Sequence, residues 1–150
     1  MTQAIISDIN TKKLWSYWVD EAASAIDFSL DVSLQRYLVL VLQASVHDPG
    51  LIARYERFGF AWLESLQPNA DPELIHTLGK DCLLMAGLFH GHTQADRLMS
   101  CCTIGVHAYQ MLALKKEDAS HVLYAQCVLH FKSMVRLVHW IRHEREGQLR

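Results

Sequence analysis

The stretch from Leu74 to His92 constrains the fold most. It reads Leu-Ile-His-Thr-Leu-Gly-Lys-Asp-Cys-Leu-Leu-Met-Ala-Gly-Leu-Phe-His-Gly-His. Its centre is apolar on most sides, which marks a helix buried from several directions. Gly79 and Gly87 each weaken a helix by about 1 kcal/mol relative to alanine, so their presence asks for a packing reason. Close approach of another helix is that reason, and the helix bearing Gly105 and Ala108 is the expected neighbour. Asp71-Pro72-Glu73 opens the segment with a cap, a proline in the first turn and an acid near the positive helix end. His90-Gly91-His92 closes it, because Gly91 can take the left-handed conformation that stops a helix.

The rest of the chain has few breakers: 3 prolines and 7 glycines in 150 residues. Residues 1–10 read as a poorly ordered lead-in, after which Asn10 or Thr11 caps a first helix. Leu14, Trp15, Trp18, Val19, Ala22 and Ile26 recur on it at three- and four-residue steps. Asp31 or Ser33 restarts a helix whose buried face is Leu34, Tyr37, Leu38, Val41 and Leu42. Its run from Tyr37 to Leu42 is short and rich in β-formers, but its flanks keep the helical period. Asp48 and Pro49 read as the cap and first residue of a third helix, which carries Ile52, Tyr55, Trp62 and Leu66. The helix of residues 72–90 is the fourth. Thr93 caps a fifth, and Asp118 or Ser120 begins a long sixth that turns charged after Ile141. The expectation is an all-α, single-domain bundle of about six helices spanning residues 1–150, with a central apolar helix near 72–90.

Length and composition bound the function. A chain of 150 residues buries roughly 68–70% of its unfolded surface, enough for one substantial core. A net charge of −2 gives no general attraction to nucleic acid or anionic lipid. The arginines are dispersed among acids, and no basic helix stands out for reading DNA. The longest strongly apolar run, Tyr37 to Leu42, falls far short of the roughly 20 residues that span a bilayer. The first residues lack the basic start and apolar core of a secretory signal, so the four cysteines read as buried free thiols of a cytoplasmic protein.

Chemistry must then come from spacing. The chain has nine histidines. His139 and His143 share a helical face, as zinc ligands can, but lack the glutamate of the zinc-protease motif. Glu73 and His76 form a single Glu-x-x-His, where a di-iron bundle needs two. Cys127 and His130 share a face, and His107 could approach them, but the Cys-x-x-Cys signatures are missing. His90 and His92 are explained first by the helix exit. No nucleophile elbow, phosphate loop or dinucleotide fingerprint occurs. Asp81 lies inside an apolar helix, while Arg97 and Arg136 are flanked by apolar residues. All three read as buried polar groups, with either arginine as the partner of Asp81.

Four short patterns add a likeness: Tyr37-Leu38-Val39, Leu78-Gly79, Gly87-Leu88-Phe89 and Gly105-Val106-His107-Ala108-Tyr109, in a match that covers about half the chain. In these the chain resembles a group of uncharacterised bacterial all-helical proteins. It departs at Gly79-Lys80-Asp81, where that group has Gly-Asp directly, and at Ser100-Cys101, where aromatic residues are usual. The resemblance implies a helical bundle in a bacterium and implies no activity.

Three functions follow as expectations. The first is a non-catalytic interaction or regulatory module that binds a protein partner or itself through Trp15, Trp18, Trp62 and Trp140, with no cofactor. The second is a metal- or haem-binding bundle, open to enzymatic use, built from His90, His92, His107, His130, His139, His143 and Cys127. The third is an apolar small-molecule pocket lined by residues such as Met85, Phe89 and Tyr109.

Overall fold

The computed structural model describes residues 2–88, 95–115 and 118–149. Among them the chain is entirely helical: α1 (Thr2–Ala25), α2 (Val32–Ser45), α3 (Leu51–Glu56), α4 (Phe58–Ser65), α5 (Pro72–Leu88), α6 (Ala95–Lys115), α7 (Ala119–Leu129) and α8 (Phe131–Leu149). No helix among the described residues is long and apolar enough to cross a membrane.

The apolar helix of residues 72–88 is the centre of the bundle. Every residue from Asp81 to Gly87 is buried, as are Ile75, Leu78 and Gly79. Helices α6 and α8 pack along it, and α2, α3 and α4 cover its remaining sides. Asp71 opens it as the sequence predicts, its Oδ1 accepting from the Glu73 backbone N–H at 3.0 Å. The close-packing glycines divide between two neighbours. A Cβ on Gly79 would lie 3.2 Å from the ring of Tyr109 on α6, in line with expectation. A Cβ on Gly87 would instead meet Val138 on α8 at 2.5 Å, so this glycine faces α8 rather than the helix of Gly105. Gly105 admits Phe131, whose ring would stand 2.5 Å from an added Cβ.

Eight helices replace the six expected because two long ones are each broken at one residue. Arg57 (φ −109°, ψ 12°) separates α3 from α4, and His130 (φ −109°, ψ 19°) separates α7 from α8. Neither position is a proline or glycine, so the local sequence carries no break signal. The second break has a packing consequence: α7 lies on α6, whereas α8 turns to lie on α5 and α1.

Other boundaries also move. The first helix already begins at Thr2, since no proline or glycine interrupts residues 2–25. It stops at Asp27, whose φ of 57° is left-handed; the Phe28 N–H then reaches back to the Ala23 carbonyl at 2.8 Å. Asp31 caps α2 and Asp118 caps α7, each accepting from the N–H two residues on at 3.0 Å. Asp48 is not the cap of α3. Gly50 holds that place, and Pro49 precedes the helix. The Thr93 cap and the His90-Gly91-His92 exit lie outside the described residues.

Candidate functional site

Four elements bring polar side chains to one cleft. Helix α2 contributes Tyr37, Leu40 and Val41; the turn after it, Asp48; α3, Arg54; α5, His76, Lys80, Asp81 and Leu84; and α7, Leu123 and Tyr124. The cleft encloses about 280 Å³.

One end is a charged triad. Asp81 is only 6% exposed, in the heart of α5. Arg54 reaches it as a fork: Nε donates to Oδ2 at 2.7 Å and Nη2 donates to Oδ1 at 3.1 Å. The same guanidinium turns its outer edge to Asp48, with Nη1 donating to Oδ1 at 3.2 Å and Nη2 also bonding Oδ2. Asp48 is displaced from the capping role for this purpose; its Oδ1 also accepts from the Gly50 N–H at 3.0 Å. The bonds from Arg54 hold the Asp48 carboxyl below its ordinary range. Asp81 and then Asp48 raise the hold of Arg54 on its proton. Planar, always-charged arginine is the side chain that can fork one carboxylate and still engage a second.

The other end is a chain of hydroxyls. The Tyr37 hydroxyl lies 2.8 Å from His76 Nε2 and 2.6 Å from the Tyr109 hydroxyl. Burial pushes the phenols of Tyr37, Tyr109 and Tyr124 above their ordinary range, so all three stay protonated near neutrality. With Nε2 of His76 unprotonated, Tyr109 donates to Tyr37 and Tyr37 donates to His76. Each hydroxyl proton is then used once. The His76 ring packs 5.6 Å from that of Tyr124. Between the two ends, Lys80 is half-buried and adds positive charge near Asp48. It makes no hydrogen bond or ion pair among the described residues.

The residues singled out from sequence scatter by comparison. Asp81 is buried as expected, but its partner is Arg54. Arg97 and Arg136 are exposed. For Arg136, the flanking Val135 and Leu137 face the core, and a turn of about 100° per residue carries the arginine outward. Arg97 lies over the Tyr55 ring, 5.8 Å from its centroid. Trp15, Trp62 and Trp140 are partly buried against the core. Trp15 and Trp18 meet edge to face at 4.9 Å. Trp62 Nε1 donates to His107 Nδ1 at 3.4 Å.

The described histidines do not gather into one cluster. His130 packs beside Phe28 at 5.3 Å, His107 beside Trp62, and His139 and His143 stack on each other at 6.2 Å. Burial pushes the Cys127 thiol up to about 12, which keeps it a protonated core residue. Among the described residues no three His, Cys, Asp or Glu side chains group so as to hold a metal ion. His90 and His92 lie outside the described residues. Met85 and Tyr109 are core residues, Tyr109 bonded to Tyr37 of the cleft, while Phe89 also lies outside what is described.

Sequence reasoning weighed His76 only within a Glu-x-x-His, Tyr37 only as part of a buried face and Asp48 only as a cap, and it did not single out Lys80 or Arg54. Only Asp81 carried a signal, as an acid inside an apolar run. Comparison with protein-family models, curated proteins and solved structures gave no match.

Proposed function

We propose that the protein is a non-catalytic regulatory module that binds a small organic acid in the cleft between α2, α3, α5 and α7. The observation that carries this reading is the pairing of two polar networks under apolar walls. Arg54–Asp81–Asp48 and His76–Tyr37, the latter backed by buried Tyr109, line one concavity together with Leu40, Leu84 and Leu123. Convergent polar groups in an otherwise apolar pocket are the usual build of a ligand site. The volume of about 280 Å³ falls just below the usual range and suits a metabolite-sized molecule. The charges decide the class. Arg54 is occupied by two carboxylates, which leaves the Lys80 ammonium to take an anion. His76, one turn before Lys80 on α5, and Tyr124 of α7 offer polar contacts beside it.

The test is a thermal-shift screen of small mono- and dicarboxylic acids, with calorimetry on the compounds that raise the melting temperature. Lys80→Ala and His76→Gln should each weaken such a compound roughly 10- to 100-fold, the value of one charge-assisted hydrogen bond of about 1.5–3 kcal/mol. Equal affinity for wild type and both variants would sink the cleft as the binding site.

A second reading, docking of a protein partner, has its own observation. Helix α4 turns Phe60 (72% exposed) and Leu63 (58% exposed) outward one turn apart. On this reading the interaction face is α4 rather than the four tryptophans. Light scattering over a concentration series tests self-association; a monomer at every concentration, unchanged by Phe60→Lys, removes it. The likeness to bacterial helical proteins belongs to the same proposal. Three of its pattern residues, Tyr37, Gly79 and Tyr109, are neighbours: Tyr109 bonds Tyr37 and lies against Gly79.

A further inference from the structure

Away from the cleft, α5 and α6 approach closely enough to set two thiols against each other. An added Cβ on Gly105 would lie 3.1 Å from the Cβ of Cys82, and Cys101 sits one helical turn before Gly105. Both cysteines are 1% exposed, and both are free. Cys82 and Tyr55 are both hydrogen-bonding neighbours of the Cys101 sulfur. Arg97 lies over the Tyr55 ring, 5.8 Å from its centroid. Two donors and a nearby guanidinium favour a negative sulfur at Cys101, whose thiol is lowered to about 7, chiefly by the bond from Cys82. Cys82 moves the opposite way, because it supplies that bond. The two sulfurs are thus unlike: one poised to attack, the other holding its proton. Arg97 is at the surface over the Tyr55 ring, and Tyr55 in turn meets Cys101, so two side chains separate this sulfur from solvent.

We propose that Cys101 and Cys82 are a peroxide-oxidisable dithiol that closes into a disulfide joining α5 to α6, with Cys101 as the attacking sulfur. In the first step the Cys101 thiolate attacks one oxygen of hydrogen peroxide. The O–O bond breaks, a sulfenic acid forms, and the second oxygen leaves as hydroxide and takes up a proton to become water. In the second step the Cys82 sulfur attacks the Cys101 sulfur and gives up its thiol proton. The S–O bond breaks, and the departing hydroxide takes that proton as a second water. Two thiols and one peroxide give one disulfide and two waters, and an external dithiol reverses the reaction. Cys102, half-buried beside Cys101, and Cys127, in the core, take no part.

The experiment treats the purified full-length protein with hydrogen peroxide, blocks remaining thiols with an alkylating agent, and maps the peptides by mass spectrometry. The expected result is a Cys82–Cys101 disulfide, one peroxide consumed per chain, and Cys102 and Cys127 alkylated. Cys82→Ser should stop at a Cys101 sulfenic acid that a 1,3-dione probe captures. Arg97→Gln, a surface change, should slow Cys101 alkylation at about pH 6 by roughly three- to tenfold, as the thiolate fraction falls. Should Cys82→Ser fail to fold, the wild-type map and Arg97→Gln still decide. An alkylated Cys101 after peroxide treatment, or a bond from Cys101 to Cys102, overturns the proposal. None of these readouts depends on a ligand in the cleft.

Discussion

Arg54 is the residue on which the charged end of the cleft depends. Removing it leaves Asp81 as a buried carboxylate with its ion-pair partner gone, whereas removing Asp81 leaves Arg54 still bound to Asp48. The two deletions should therefore differ. Breaking a fully buried pair costs about 3–5 kcal/mol, and the side chain of Arg54 is 40% exposed, so Arg54→Ala should cost about 2–3 kcal/mol. Asp81→Asn keeps an acceptor for the guanidinium and should cost about 1 kcal/mol. Urea unfolding of both variants checks the order; equal costs would mean that the fork adds nothing beyond a single hydrogen bond. Asp48 sets a pH dependence. Its folded-state value is lowered, so the folded chain binds that proton less readily than the unfolded chain. The resulting stability is complete above the ordinary carboxylate range and is lost as pH falls through the lowered folded-state value. Urea midpoints of wild type and Asp48→Asn should accordingly differ at neutral pH and converge on acidification.

At the scale of helices, three glycines mark where backbones meet, and they make unequal demands. An added methyl at Gly105 meets the end of the Phe131 ring at 2.5 Å and the Cβ of Cys82 at 3.1 Å, side-chain atoms only. At Gly87 it meets the Val138 branch point at 2.6 Å and the Val135 carbonyl oxygen at 3.2 Å, where backbone must move. Overpacking costs about 1–3 kcal/mol, so Gly87→Ala should sit at the upper end and Gly105→Ala below it. Gly59 on α4 is the control. Nothing lies within 4 Å of its added Cβ, so Gly59→Ala should stabilise by up to about 1 kcal/mol. Calorimetric melting temperatures test the series: Gly59→Ala up, Gly105→Ala and Gly87→Ala down. The sequence named Gly79 and Gly87 as close-packing positions, because a glycine inside an apolar helix has few other uses. It could not say which helix would fill each gap. That depends on how α8 turns at His130, and the turn leaves no mark in local composition.

Across the whole molecule, what the sequence carried was what repeats every three or four residues. The all-helical class, the central place of residues 72–88 and the caps at Asp31, Asp71 and Asp118 are local properties, legible in a window of a few residues. The cleft is not local. Arg54 and Asp81 are 27 residues apart, Tyr37 and His76 are 39 apart, and Tyr37 and Tyr109 are 72 apart. No spacing rule joins such positions; only the path of the chain does. The same holds for the histidines, which looked collective because they are numerous and prove to be dispersed among the described residues.

The break at His130 bears on how the bundle breathes. Helix α7 hangs between Asp118 and that single residue and buries only Cys127 fully, yet it supplies Leu123 and Tyr124 to the wall over His76. Helix α5 behind it is buried along most of its length. Local opening is cheapest where few side chains leave water, so amide hydrogen exchange should be graded across the fold. Amides of α7 should exchange at low protection, by opening of that helix alone. Those of α5 should exchange only through global unfolding, with protection that tracks the urea-derived stability. A saturating ligand in the cleft should slow exchange in α7 first. Uniform protection of α7 and α5 would mean that the wall and the core open as one unit.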